Sequence, residues 1–395
     1  MGFLLKNTIW PLTLCLNLIK LFGFLVPGEL TERQRTLWYF YQSFWFIYLA
    51  GIYIIVQAGD LILIWGDVSL MVSTSFLLFT NIALGMKIIN VMIRGRAVQD
   101  IIDDGEEELV NEDRDEGLEI VRSYSRCNRE VSQFLYLYVF LTVLTVLGWA
   151  ASAEKSTLPL RAWYPFDTSK SPAFEITYFH QVSALYISAS LNVSLDTLAT
   201  CLIAVCRCRL KLLNLALLNL CIGDNGDLQT HDEAVLPRLK SSLRRHQAVL
   251  KSAGEIQRCF SEPILAQFTV SMVIICVTAY QLAVELHNTP KNVVRIVGMT
   301  AYLFCMILQV FLYCYQGNQL MVESTEVTSA AYSCPWYLCS LRSRRALLII
   351  MIRSKRASQL TAGGFTTLSL TCFTAIVKAS YTFFTMLQRV EDRQK

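Results

Sequence analysis

The sequence predicts an all-α membrane protein with seven transmembrane helices, a cytoplasmic N-terminus, an extracellular C-terminus, and helices that extend past the membrane on the cytoplasmic side. Three observations carry this. Of 395 residues, 54% are hydrophobic and 17% charged, with a mean hydropathy of +0.42; soluble domains carry about 25% charged residues. Seven apolar stretches reach the roughly 20 residues that a spanning helix needs. Lysine and arginine crowd the linkers on one side of those stretches and nearly vanish from the other. The net charge of +4 is small, and no basic run interleaved with aromatics points to nucleic acid.

The first segment, Met1 to Val26, is apolar but broken by Lys6, Pro11, Asn17 and Lys20. It lacks a small-residue cleavage site, and Lys6 stands where a myristoylation signal needs Ser or Thr. It reads as an amphipathic helix at the inner membrane surface. The spans follow as Leu37–Val56, Ser69–Met92, Val131–Ala151, Ile176–Val205, Pro263–Leu286, Val293–Tyr315 and Phe365–Leu387. Cys206–Cys221 and Glu233–Ser261 are charged but keep a helical period, so the fourth and fifth helices continue past the membrane.

Orientation follows from the basic residues. The linker after the second span holds Arg94, Arg96, Arg114, Arg122, Arg126 and Arg129. The linkers after the fourth and sixth are as basic, with Arg207, Arg209 and Lys211 in one and Arg342, Arg344 and Arg345 in the other. The opposite linkers offer only Lys155, Arg161, Lys170 and Lys291. The basic side faces the cytoplasm, so a seven-span chain starts inside and ends outside. All 13 cysteines fall in spans or cytoplasmic segments, which leaves no outer-loop disulfide. Cys206, Cys208, Cys334 and Cys339 are expected as reduced thiols. With only four histidines, no metal site or other cofactor is expected.

No catalytic constellation stands out: the chain has no Walker A loop, no HExxH and no GxSxG. The chain is therefore not expected to be an enzyme. The acidic run Asp103–Glu119 reads as a solvated linker or subunit contact. Asp196 falls roughly 30 Å along the fourth span, near the inner interface, with a structural role as its default. The sequon Asn192-Val193-Ser194 lies inside that span and is not expected to be glycosylated.

The outer halves of the spans are lined by apolar and aromatic residues with a few hydroxyls, a composition that suits a small, weakly polar ligand. The candidates are Met71 and Thr74 in the second span, Leu147 and Trp149 in the third, and Phe179, Ser183 and Tyr186 in the fourth. Tyr280 in the fifth and Met299 and Tyr302 in the sixth complete the set. Ordinary helix packing is the alternative reading of each.

The last span has two faces. Thr371, Thr374, Lys378, Thr382, Thr385 and Arg389 recur at steps of three and four on one side. Phe373, Ile376, Val377, Phe383, Phe384 and Leu387 form the other. A polar stripe on a spanning helix must meet water, a polar surface or a partner helix. It either lines an aqueous pore among several copies, or packs on its own bundle with Lys378 paired to an acid.

The C-terminal region resembles a known family. Leu360-Thr361-Ala362-Gly363, Leu368-Ser369-Leu370, Phe373-Thr374 and Lys378-Ala379-Ser380-Tyr381-Thr382-Phe383-Phe384-Thr385 look like the signature of insect odorant receptors. Thr328-Ser329-Ala330-Ala331-Tyr332 followed by Trp336 resembles that family's cytoplasmic helix before the last span. The resemblance implies a ligand-gated, non-selective cation channel in the plasma membrane of olfactory neuron dendrites. It implies an odorant-tuning subunit joined to a shared co-receptor in a heterotetramer. Its partners would be that co-receptor, a small volatile apolar ligand, the lipid bilayer and permeating cations. The co-receptor carries a long insertion between the fourth and fifth spans, whereas here the non-helical part is only Ile222–Asp232. Gustatory receptors share the fold but end in a different aromatic pattern, and a G-protein-coupled receptor has the reverse orientation.

Carried onto this chain, the resemblance gives four regions. Residues 1–36 form the N-terminal cytoplasmic segment, 37–317 the first six helices with the ligand pocket, 318–364 the cytoplasmic anchor with Tyr332 and Trp336, and 365–395 the pore helix and a short tail. The pore would present Lys378, Thr382 and Thr385, with its outer gate at Met386 and Val390. Arg389, beside that gate, departs from the family pattern. A ring of arginines would repel cations, which argues against conduction by a homomer.

Overall fold

The computed structural model describes residues 9–26, 31–66, 68–112, 117–152, 158, 161–168, 170–222, 232–287 and 292–394. Lys6, Lys155, Lys291, part of the acidic run and most of the Ile222–Asp232 loop lie outside the described residues, as does the side chain of Val390. Among the described residues the chain is almost wholly helical, in nine α-helices, a short 3-10 turn at Trp336–Leu338 and one short hairpin: α1 (Trp10–Leu21), α2 (Glu32–Leu63), α3 (Val68–Glu112), α4 (Gly117–Ser152), α5 (Ala173–Leu218), α6 (Asp232–His287), α7 (Val293–Ser333), α8 (Leu341–Ser354) and α9 (Leu370–Gln394). Of these, α2, α3, α4, α6, α7 and α9 contain stretches long and apolar enough to cross a bilayer. The remaining span runs through α5, where every residue of 193–210 is buried. The seven-span, all-α architecture is that of a multi-pass membrane protein.

α5 lies at the centre, against α1, α4, α6 and α7. Its neighbours turn apolar residues inward: Leu84, Ile88 and Val91 from α3, Tyr124 and Val131 from α4, and Val310 and Cys314 from α7 all join its core. α4 and α7 approach at paired glycines. A Cβ on Gly148 would sit 2.5 Å from the Gly298 Cα, so only hydrogen fits there. α2 is interrupted by a π-helical turn at Ile47–Gly51.

The extended ends of α3, α4, α5, α6 and α7 meet on the basic side. Arg207 pairs with Glu130 at 2.7 Å, Arg94 with Glu262 at 2.9 Å and Lys251 with Asp104 at 2.9 Å. This is the cytoplasmic end by the positive-inside rule. All 13 cysteines are free thiols. Cys221 and Cys339 place their sulfurs 3.3 Å apart there, and burial pushes the Cys221 thiol up to about 12.

Two ends differ from the sequence expectation. α1 docks into the bundle instead of lying along the inner membrane surface. Ile9, Leu12 and Ile19 are wholly buried against the core that α5 shares, because its apolar stripe matches that of α5. α9 starts at Leu370, five residues after the expected Phe365. The residues between form part of a hairpin pairing Thr361 with Thr367 and Ala362 with Thr366. Gly363 turns it at φ +58°, a left-handed conformation suited to glycine. Gln257 of α6 holds the hairpin by accepting from Thr361 N at 2.7 Å and donating to Thr361 O at 3.0 Å. The Leu360–Gly363 signature is thus a clasp that fixes the start of α9 on α6.

Candidate functional site

A cavity of about 80 Å³ opens between α2, α3, α4, α5 and α7, with room for several waters or one small organic molecule. Tyr53 contributes from α2, Leu77, Thr80, Asn81 and Leu84 from α3, and Tyr138, Thr142, Thr145, Val146 and Trp149 from α4. α5 supplies Leu185, Ser188, Ala189, Asn192 and Val193, and α7 supplies Tyr302, Cys305 and Met306. Small residues on α5 leave the space; aromatics on α4 and α7 wall it. Trp149 stacks on Phe76 with centroids 5.3 Å apart, and Phe76 meets Tyr302 edge-on at 5.7 Å. The Tyr302 hydroxyl shares a 2.6 Å hydrogen bond with that of Thr80. Ser188 Oγ is buried without a hydrogen-bond partner, a polar handle on an otherwise apolar wall. Such a site holds a small, weakly polar molecule by shape, with hydroxyls to orient it. Among the described residues that line it there is no ion pair and no acid–base couple.

Below the cavity lies a buried polar knot. Asp196 of α5 takes Lys87 Nζ at 2.6 Å and Tyr313 OH at 2.8 Å on one oxygen. Its other oxygen takes Tyr138 OH at 2.9 Å and the Gln309 amide. Lys87 also donates to Asn192 Oδ1 at 2.9 Å. Four donors from α3, α4 and α7 thus hold one carboxylate, the satisfaction that a buried ion pair needs to offset its desolvation. Tyr138 and Asn192 belong to the knot and also line the cavity. From Gln309 the network reaches Gln267 of α6 at 2.9 Å, and Gln267 reaches Ser271 at 2.7 Å. The next residue, Met272, gives its carbonyl to Ser380 Oγ of α9 at 3.1 Å. Polar contacts therefore run almost continuously from the cavity floor to the last helix.

Of the ligand candidates named from sequence, Trp149 and Tyr302 come together on this cavity. Tyr280 and Met299 are buried elsewhere in the bundle, and Met71 is half-buried. Thr74 donates to Asp60 Oδ2 at 3.1 Å, in an outer cluster that Arg161 completes at 3.2 Å. Ser183 bonds the Tyr48 hydroxyl at 2.6 Å. Leu147, Phe179 and Tyr186 point outward, 59%, 71% and 61% exposed. The lining of α5 is instead the face with Ser188, Ala189 and Asn192. Its signal is a run of small and amide residues at steps of three and four, weaker to the eye than nearby aromatics.

On α9, Thr371, Thr374, Lys378, Thr382 and Arg389 are exposed and Thr385 is half-exposed. No acidic group among the described residues pairs with Lys378. Thr382 and Thr385 donate to the carbonyls of Lys378 and Thr382, at 3.0 and 2.8 Å. Met386 is 58% exposed. Only Ser380 between Leu370 and Arg389 is fully buried, and Phe373 meets Phe311 of α7 at 5.5 Å. At the cytoplasmic end Tyr332 and Trp336 lie exposed, their rings 6.4 Å apart. Among the described residues no cluster of three or more His, Cys, Asp or Glu could hold a metal.

Residues 67–381 match the family model described as 7tm Odorant receptor. The chain is 26% identical to Odorant receptor 46a, isoform A, of Drosophila melanogaster over 267 residues, 67% of this chain and 68% of that protein. It is 25% identical to Odorant receptor 94a of the same organism over 278 residues, 69% of this chain and 70% of that protein. In fold it is similar to the olfactory receptor OR5 from Machilis hrabei in complex with eugenol. The TM-score is 0.78 at 20% identity, over 98% of this chain and 97% of that one. A second structure of the insect olfactory receptor OR5 from Machilis hrabei superposes with a TM-score of 0.79 at 20% identity, over 96% of this chain and 97% of that one. With the family match covering five of its seven membrane helices and most of a sixth, this multi-pass plasma-membrane chain belongs to the seven-transmembrane odorant receptor family.

Proposed function

We propose that the chain is the odorant-tuning subunit of a ligand-gated, non-selective cation channel that assembles with a shared co-receptor. The observation that carries this reading is α9, a spanning helix whose polar face finds no cover among the described residues of its own bundle. Water or sister helices must supply that cover, and a ring of such helices around an aqueous path supplies it. Lys378, Thr382, Thr385 and Arg389 would line the path, with Met386 and Val390 at its outer gate. Tyr332 and Trp336 would lie in the cytoplasmic contacts between subunits.

The odorant would bind in the cavity walled by Trp149 and Tyr302, with Thr80 and Ser188 as hydroxyl partners. Met71, Thr74, Leu147, Phe179, Ser183, Tyr186, Tyr280 and Met299 would act around it, through packing or the entry route. OR5 is a receptor solved with eugenol, a small aromatic, and the cavity here has a matching chemistry of aromatic walls and hydroxyls. Binding would open the channel only if the open state holds the odorant more tightly.

The test is a whole-cell recording of odorant-evoked current, with this chain alone and with the co-receptor, under G-protein block. Current from the pair alone supports the tuning-subunit reading. A response abolished by the block refutes the channel reading in favour of a metabotropic receptor.

A further inference from the structure

We propose that a second cavity, at the cytoplasmic end between α4, α5 and α7, binds the phosphate-bearing headgroup of an anionic membrane lipid. This cavity measures about 150 Å³, and its walls include Arg126 of α4, Arg207 and Lys211 of α5, and Glu323 of α7. Its depth suits a lipid. The third span begins at Val131 and the fourth ends at Val205. At a helical rise of about 1.5 Å, Arg207 and Lys211 stand about 3 and 9 Å beyond the fourth span, and Arg126 about 7 Å before the third. That is the headgroup layer of the inner leaflet. Tyr315 closes the membrane side, as tyrosines do at a bilayer interface.

The charges are arranged for an anion. Three cations meet two carboxylates, and Glu130 is already taken by both terminal nitrogens of Arg207, at 2.9 and 2.7 Å. That bond also holds Arg207 in place. The other carboxylate, Glu323, has its affinity for a proton raised, first by burial and then by Glu326. Among the described residues Arg126 and Lys211 close no salt bridge, Lys211 attracts Glu323 only at longer range, and Arg126 is exposed at the rim. Ser123 and Gln319 add hydroxyl and amide groups that could meet headgroup oxygens. Basic pockets between spanning helices on the cytoplasmic side take phosphorylated headgroups through this combination of held and free cations. The cavity is separate from the outer one, and its occupancy does not depend on the channel reading.

The test uses the full-length chain purified in detergent and titrated with dioctanoyl phosphatidylinositol bisphosphate, with melting temperature as the readout. A saturable rise is expected, with none from dioctanoyl phosphatidylcholine. Arg126→Gln combined with Lys211→Gln should weaken binding about thirtyfold, two cations' share of the attraction. Arg244→Gln combined with Arg245→Gln, on the cytoplasmic part of α6, should leave it unchanged. Glu323→Gln should tighten it several-fold, a gain that misfolding cannot produce. The proposal fails if phosphatidylcholine stabilises equally, if the α6 control weakens binding as much, or if Glu323→Gln weakens it. Equal affinity for soluble inositol trisphosphate would overturn the lipid assignment in favour of a free phosphate compound.

Discussion

α5 and α9 are both spanning helices with charged residues at depth, and they handle them in opposite ways. α5 is buried throughout residues 193–210, and Asp196 is held by four donors from its own chain. α9 presents Lys378 and Arg389 on a face that no described residue of the same chain covers. A charge in a membrane helix needs a partner. α5 finds it within the subunit, so its polar residues hold the fold. α9 leaves the place to other helices or water, which is what the proposed pore would supply. The same residue class is thus satisfied within the fold in one helix and left open in the other.

The sharpest way to break this contrast is Asp196→Ala. It leaves Lys87 buried without its counter-ion, and a loss of about 3–5 kcal/mol is expected. Surface expression and melting temperature in detergent should both fall. Lys87→Met in the same chain should recover part of the loss, because it removes the stranded charge. Normal expression of Asp196→Ala would sink the structural reading of the knot.

A smaller effect is expected in the outer cavity. Ser188→Leu fills it and Tyr302→Ala removes its wall. Each should lower odorant sensitivity about tenfold or more without loss of expression. Leu147→Ala and Phe179→Ala, on the outer surface of the subunit, should leave dose–response curves in place. If the outward pair shifts the curves and the inward pair does not, the ligand site is elsewhere.

Lys378→Leu on α9 should change the stability of the isolated subunit by under about 0.5 kcal/mol, as for an exposed position. Its effect should appear in the conductance of the assembled channel. A large drop in subunit stability would mean that α9 is covered by its own bundle after all.

The smallest effect concerns pH. Burial, and then Arg353, holds the cytoplasmic His246 below its ordinary value of 6.5. Its neutral form is favoured in the fold, so its contribution is complete above 6.5 and is lost as pH falls through the range beneath. Mild acidification should lower the melting temperature slightly, and His246→Phe should flatten that dependence.

Much of the architecture was legible because the bilayer imposes it. A span must be long and apolar, and its flanking charges must sort, so Ser69–Met92 and Val293–Tyr315 fall within α3 and α7 as expected. Faces were less legible. In a membrane, the lipid side of a helix is as apolar as its core side, so periodicity does not say which points inward. On α5 the aromatics Phe179 and Tyr186, which composition favours as ligand residues, point outward. Ser188, Ala189 and Asn192 line the cavity because a cavity requires small side chains. A structural role for Asp196 near the inner interface is legible in the sequence, but its four donors come from three other helices at distant sequence positions.

The sequence alone determined the number and orientation of the spans, the helical extensions and the two-faced character of α9. These depend on hydrophobicity and charge summed along one segment. Only the tertiary structure decided that α1 joins the core, that the Leu360–Gly363 signature clasps α6, and that Trp149 and Tyr302 meet over small residues of α5. These depend on which surfaces of separate helices fit together. That fit is set by close packing between residues far apart in the chain.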